Sequence, residues 1–249
     1  MNANPEVSAP EAGSPTVVLV HGAFADSSSW NEVVAHLRRR GYPVTAVANP
    51  LRGLREDAGY LRAVLDSLSG PVVLAGHSYG GSVVSEAAQG ARGVTALVYV
   101  AGFMPDVGES TAELSATFPG SQLSPALRPV PLPLPGGGTG MDLYIQQDRF
   151  REVFAADVAP ELAELMAATQ RPITASALQD KATEAAWKSI PSWTMVTTQD
   201  LCIPADSMRF MAERAGSMTV EIDASHAVAV SQPGSVADLI DTAARATTR

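Results

Sequence analysis

The sequence predicts a doubly wound α/β fold, with a mostly parallel six-stranded sheet and an inserted cap. Three observations carry this. Apolar runs alternate with amphipathic helical stretches along the chain, which is the order of a βαβ architecture. The apolar runs are continuous rather than alternating, as strands covered on both faces require. The pattern breaks between about 105 and 190 and then resumes, as an insertion would make it.

Six runs are expected as strands: 16–20 (TVVLV), 44–48 (VTAVA), 71–75 (PVVLA), 95–101 (TALVYVA), 193–198 (WTMVTT) and 218–222 (MTVEI). Helices are expected near 29–40, 54–69, 80–90, 206–215 and 234–246. Asp26, Ser27 and Ser28 offer N-cap signals for the first helix, and Gly41 stops it. The basic run Arg38–Arg40 suits the negative end of its dipole. Gly70-Pro71 closes the second. The stretch 118–140, FPGSQLSPALRPVPLPLPGGGTG, is rich in Pro and Gly and reads as an extended loop. Beyond it, Arg149–Ala156 and Pro160–Ala168 read as short helices. The expected organisation is a mobile tail over 1–15, a core of 16–104 and 191–249, and a cap over 105–190. The Pro-rich loop would also suit a linker between two domains, but the return of strands at 193 favours an insertion.

Composition narrows the function classes. The net charge of −9 argues against nucleic acid or an anionic membrane as partner, since a phosphate-binding face needs a basic excess. With Cys202 the only cysteine, no intrachain disulfide can form. No apolar run approaches membrane-spanning length. The opening MNANPEVSAPEAGSP has neither a basic start nor an apolar centre, so it is not read as a secretory signal and a cytoplasmic protein is expected.

The stretch VVLAGHSYGGSVV, residues 72–84, carries the chemistry. It places Ser78 in a G-x-S-x-G pattern between an apolar run and a helical one. A serine there is held on a tight strand-to-helix turn with its hydroxyl projecting outward. Serine chemistry then needs a base, and a group that orients the base. In sheets that present such a serine the chain order is serine, acid, histidine. Only one histidine follows Ser78: His226, just past the last expected strand. Asp200, after the strand WTMVTT, is the first candidate for the acid. Asp106, at the end of the fourth strand, is the reserve, and Asp223 reads as a turn cap. Two backbone N–H groups are expected to form an oxyanion hole: Tyr79, after the nucleophile, and Ala23, in the loop VLVHGAFADSSSW, where Gly22 allows a sharp turn. His21 is expected to brace that loop, and His36 to be solvated on a helix.

Other chemistries find no support. Cysteine and histidine do not cluster at metal-ligand spacing, and no phosphate-binding glycine motif follows the first strand. No cofactor and no metal are expected. Pocket walls are expected from Phe24, Phe103, Met104, Leu143, Tyr144 and Val228, together with Tyr79, each equally compatible with ordinary core packing. An apolar lining suits a small or medium ester or lactone. The expected partner is such a small molecule, the protein acting as monomer or homodimer.

With these residues in place, the chain resembles the α/β-hydrolases. More narrowly, it is similar to the plant methylesterase and hydroxynitrile lyase family and its bacterial esterase relatives. The likeness runs over most of 16–240 and is strongest in VLVHGAFADSSSW, VVLAGHSYGG, VYVAGFMPD, TTQDLCIP and DASHAVAVSQP. It implies an α/β-hydrolase fold, with nucleophile, acid, base and oxyanion donors at Ser78, Asp200, His226, Ala23 and Tyr79. The cyanogenic members carry threonine and lysine where this chain has Gly22 and Ala227, so the resemblance implies the esterase branch. The rival expectations are a cofactor-free perhydrolase or carbon–carbon hydrolase on the same triad, and a receptor-like member that turns ligand over slowly.

Overall fold

The structure is a computed structural model that describes residues 13–134 and 136–247. Most of the expected N-terminal tail therefore lies outside the described residues. Six strands form one sheet: β1 (Thr16–Val20), β2 (Val44–Val47), β3 (Val72–His77), β4 (Val94–Val100), β8 (Ser192–Thr197) and β9 (Met218–Ile222). Their order is β2-β1-β3-β4-β8-β9, and every pairing is parallel. The strands expected from sequence all form, with ends shifted by a residue or two. β3 and β8 are buried along their whole length, and β9, at the edge, is largely exposed.

Helices α1 (Asn31–Arg39) and α11 (Pro233–Thr247) pack against each other, and α2 (Leu54–Asp66) packs against α3 (Tyr79–Ala87). α9 (Ala205–Arg214) follows β8, and the short α10 (Val228–Ser231) precedes α11. The strand order reverses at β1, because β2 lies on one side of it and β3 on the other. Ligand sites of doubly wound sheets gather beyond the carboxyl ends of strands at such a reversal. Here Val20 at the end of β1 stands beside Gly76 near the end of β3. The loop after β1 and the turn after β3 are thereby brought together.

Between β4 and β8 the chain adds α4 (Thr111–Ala116), α5 (Leu123–Ala126), β5 (Leu127–Pro133), β6 (Thr139–Ile145), α6 (Gln147–Phe154), α7 (Pro160–Thr169), β7 (Ile173–Thr174) and α8 (Ala175–Gln179). A capping box of Ser110 and Glu113 starts α4. The strands form a separate antiparallel sheet in the order β5-β6-β7.

This corrects the expectation of an extended loop over 118–140. Much of that stretch is a β-hairpin. Pro129, Pro131 and Pro133 alternate along β5, opposite Leu143, Met141 and Thr139. Proline is confined to edge strands because it cannot donate to a ladder. β5 is such an edge, and the spacing of two turns all three prolines the same way. The hairpin turn uses Gly136, Gly137 and Gly138, each with φ above 90°.

Candidate active site

β3 ends at His77 and α3 begins at Tyr79, so Ser78 makes the whole turn. Its backbone sits at φ 55°, ψ −127°. That conformation is rare for a residue with a side chain and persists only where surrounding bonds impose it. Ser78 N–H donates to Ala101 O at 3.1 Å, and Ser78 O accepts from Gly81 N at 2.9 Å and Phe103 N at 3.1 Å. The following glycine is sterically required: a Cβ on Gly80 would fall 2.4 Å from Val20 O. Tyr79 is the first residue of α3, so its N–H has no partner within the helix.

The loop after β1 lies directly against this turn. A Cβ on Gly22 would stand 2.5 Å from Ser78 Cβ and 2.7 Å from His77 O. Ala23 and Phe24 come next, both buried, with Phe24 at φ 61°. His21 braces the loop as expected. Its Nε2 accepts from Asn49 N–H at 3.0 Å, which leaves Nδ1 to donate to Gly22 O at 2.9 Å. Burial holds its pKa below the ordinary histidine value.

Asp200 and His226 meet at the carboxyl end of β8. His226 Nδ1 is 2.7 Å from Asp200 Oδ2. The same oxygen accepts from Thr197 Oγ1 at 2.8 Å, and Oδ1 accepts from the backbone N–H of Cys202 and Ile203, both at 2.8 Å. Four donors thus hold a buried carboxylate in one orientation. With Nδ1 donating to Asp200, His226 Nε2 carries the lone pair. Asp106 is elsewhere: it pairs with Lys188, whose hydrogen bond holds the carboxyl below its usual pKa. Asp223 is exposed, 3.5 Å from Thr198 Oγ1.

His77 has a part that sequence reasoning missed. It is buried, and its Nε2 donates to the backbone carbonyl of His226 at 2.9 Å. Trp30 and Phe154 meet its ring edge-on. Burial first, and then the nearby His226, push its pKa down to about 3. His77 is therefore a neutral donor that pins the loop carrying His226. That contact spans 149 residues of sequence and left no local signal.

Ser78, His226, Ala23 and Tyr79 line one cavity of about 120 Å³. Phe24 and Phe103 line it too. The rest of the wall comes from α4 and its neighbours, through Thr111, Ser115, Leu123, Leu127 and Leu178, with Cys202 and Ile203 beside Asp200. Among the described residues, no Lys, Arg, Asp or Glu lines it. The other expected wall residues lie elsewhere. Met104 is buried in the core, its sulfur near Thr194 Oγ1. Leu143 and Tyr144 lie within β6, where the Arg128 guanidinium covers the Tyr144 ring. Val228 is fully buried at the start of α10. Two larger clefts, of about 280 and 390 Å³, contain none of Ser78, Asp200 and His226, so chemistry rather than size selects the smaller.

Among the described residues, Asp200, Cys202 and His226 are the one group with three potential metal-ligand atoms within 4.8 Å. The donor set suits a metal poorly. Both carboxylate oxygens already accept two hydrogen bonds each, and burial pushes the Cys202 thiol well above its usual pKa. Also among the described residues, no helix is long and apolar enough to cross a membrane.

The model of the alpha/beta hydrolase family matches residues 17–239. The chain belongs to that family. Among curated members, this hydrolase is 27% identical over 254 residues to alpha/beta hydrolase nvfD of Aspergillus novofumigatus, covering 92% of this chain and 96% of the relative. It is 34% identical to methylesterase 7 of Arabidopsis thaliana over 110 residues, 38% of this chain and 42% of that one. The crystal structure of polyneuridine aldehyde esterase superposes with a TM-score of 0.80 at 21% identity, over 92% of this hydrolase and 98% of that chain. That likeness is one of fold.

Proposed function

We propose that this hydrolase cleaves small carboxylic esters through an acyl-enzyme on Ser78, with His226 as general base and acid and Asp200 as its orienting acid. The observation that carries the reading is the 2.7 Å bond between His226 and Asp200 at the wall of the cavity that holds the strained Ser78. Similarity to proteins named as esterases supports the reaction class.

In the first half-reaction His226 Nε2 takes the Ser78 proton as the hydroxyl attacks the ester carbonyl. The N–H groups of Ala23 and Tyr79 receive the developing oxyanion. The imidazolium then protonates the leaving alcohol, and water repeats the sequence on the acyl-enzyme. Asp200, held by Thr197, Cys202 and Ile203, keeps the proton on Nδ1. His77 holds the backbone of His226 in register.

The cavity sets the substrate class. At about 120 Å³ it is smaller than the two clefts away from Ser78, which suits a short acyl chain or compact lactone. Its uncharged wall favours a neutral ester. Within this reading, residues 105–190 act as the cap and choose the acyl group through Leu123, Leu127 and Leu178. The test is a series of p-nitrophenyl esters from acetate to octanoate. kcat/KM is expected to peak at the short chains, and a peak at octanoate would count against the assigned pocket.

A further inference from the structure

The two N–H groups assigned to the oxyanion hole sit on different loops, and their spacing must be held by something. Both loops are tied to one strip of the insertion, residues 171–174. On one side, Phe24, next to Ala23, donates its N–H to Arg171 O at 3.0 Å. On the other, the Tyr79 hydroxyl donates to Asp57 Oδ2 at 2.9 Å, and Asp57 Oδ1 accepts from Arg52 N–H at 3.1 Å. The Arg52 guanidinium then reaches into the insertion. It donates to Pro172 O at 2.8 Å and to Asp142 Oδ1 at 2.7 Å. Thr174 closes the junction, its hydroxyl donating to Arg52 O at 3.0 Å and its N–H to Leu51 O at 3.1 Å.

Asp57 is the informative member. It is fully buried, burial pushes its carboxyl above the ordinary pKa, and the Arg52 charge acts on it without a close ion pair. Burying a carboxylate for packing alone is unfavourable, and an apolar residue would serve a purely structural role more cheaply. Its side-chain oxygens accept from the backbone of Arg52, which clamps the insertion, and from the hydroxyl of Tyr79, which carries an oxyanion donor, with the backbone of Gly53 also turned to the carboxyl. Leu51, at φ 61°, lies where the insertion grips this junction.

Resting on the esterase reading, we propose that Asp57 and Arg52 are positioning residues through which the insertion sets the spacing of the Ala23 and Tyr79 N–H donors. The insertion then governs the rate of the chemical step as well as access to the cavity. Loss of a whole oxyanion donor costs on the order of 10²- to 10³-fold in kcat. A donor displaced but still present costs less.

The experiment measures kcat, KM and melting temperature with p-nitrophenyl acetate for Tyr79→Phe, Asp57→Ala, Asp57→Asn and Arg52→Met, and labels Ser78 of the wild type with a phosphate triester. Tyr79→Phe and Asp57→Ala are expected to lower kcat about 10-fold with KM within about two-fold of wild type, as befits an interaction made in the transition state. Asp57→Asn keeps an acceptor for Arg52 and a polar partner for Tyr79, and recovers most of the loss. Arg52→Met lowers kcat by about three-fold. If kcat holds in both Tyr79→Phe and Asp57→Ala while only the melting temperature falls, these residues are structural and the proposal is overturned. A rise confined to KM overturns it too. Should Asp57→Ala not fold, Tyr79→Phe removes a single oxygen and carries the test alone. A wild type that the triester leaves unlabelled at Ser78 removes the esterase reading itself; labelled Ser78 with unaffected variants removes only this inference.

Discussion

Replacing Gly22 with alanine tests the site through one added methyl group. The new Cβ would stand 2.5 Å from Ser78 Cβ, 2.7 Å from His77 O and 3.2 Å from Ser78 Oγ. Non-bonded carbons settle at about 3.5–4.0 Å, so about 1 Å must come from movement. The methyl faces a backbone carbonyl as well as the serine, so no rotamer change relieves it. Either the turn at Ser78 or the loop carrying Ala23 has to shift. A misplacement of about 1 Å costs on the order of 10²-fold in rate. Overpacking costs about 1–3 kcal/mol of stability, and in a chain of this size each kcal/mol lowers the melting temperature by about 2–4 °C. The assay is kcat/KM for p-nitrophenyl acetate beside a thermal melt. Gly22→Ala is expected to lose about 100-fold in kcat/KM while remaining folded at 25 °C. Activity within about three-fold of wild type would count against the proposed role of this turn, because Ser78 would then tolerate the displacement that the contact demands. Gly22→Thr, with a larger side chain at the same contact, is expected to be worse still.

Three further outcomes follow from the same geometry. Asp200→Asn should lower kcat on the order of 10³- to 10⁴-fold, because the imidazole loses its tautomer, whereas Asp106→Asn should leave kcat near wild type; steady-state kinetics on both decides it. Leu178→Ala should raise the ratio of butyrate to acetate kcat/KM, since a hydrophobic pocket discriminates by about 1–3 kcal/mol per methylene, and Tyr144→Ala should not, since Tyr144 lies outside the cavity wall; equal ratios in both would remove Leu178 from the pocket. His77 has a folded pKa of about 3 against an ordinary 6.5, so the unfolded chain binds the extra proton between those values. Its share of stability is present above pH 6.5 and is lost as pH falls toward 3, at up to about 1.4 kcal/mol per pH unit. Urea midpoints at pH 7 and 4.5 should therefore converge in His77→Gln relative to wild type, and an unchanged difference would contradict the assignment.

The parts of the molecule legible in the sequence are those whose signal is local. Val72–Ala75 and Ala96–Val100 are continuous apolar runs because helices cover both faces of the sheet, and such runs read directly as strands. Ser78 is legible because the turn needs glycine two residues after it, where Val20 O approaches. Chain order singles out His226 as the candidate base, and the structure brings Asp200 to it. The hairpin of β5 and β6 was illegible because proline is usually a breaker, and only its edge position makes three alternate prolines acceptable. The pocket wall was illegible for a different reason. Leu123, Leu127 and Leu178 are ordinary apolar residues, and which of them face Ser78 depends on how the insertion packs. Leu143 and Tyr144, which looked equally suitable, fall instead on a strand of the second sheet.

Rapid-quench mass spectrometry of wild type and Ser78→Ala during hydrolysis of p-nitrophenyl acetate tests the proposed acyl-enzyme on Ser78. A transient adduct of one acetyl group is expected on the peptide containing Ser78 in the wild type. No adduct is expected in Ser78→Ala, with hydrolysis reduced by at least about 10³-fold. An acetyl group on another residue, or a Ser78→Ala enzyme that hydrolyses the ester at the wild-type rate, would contradict the acyl-enzyme on Ser78.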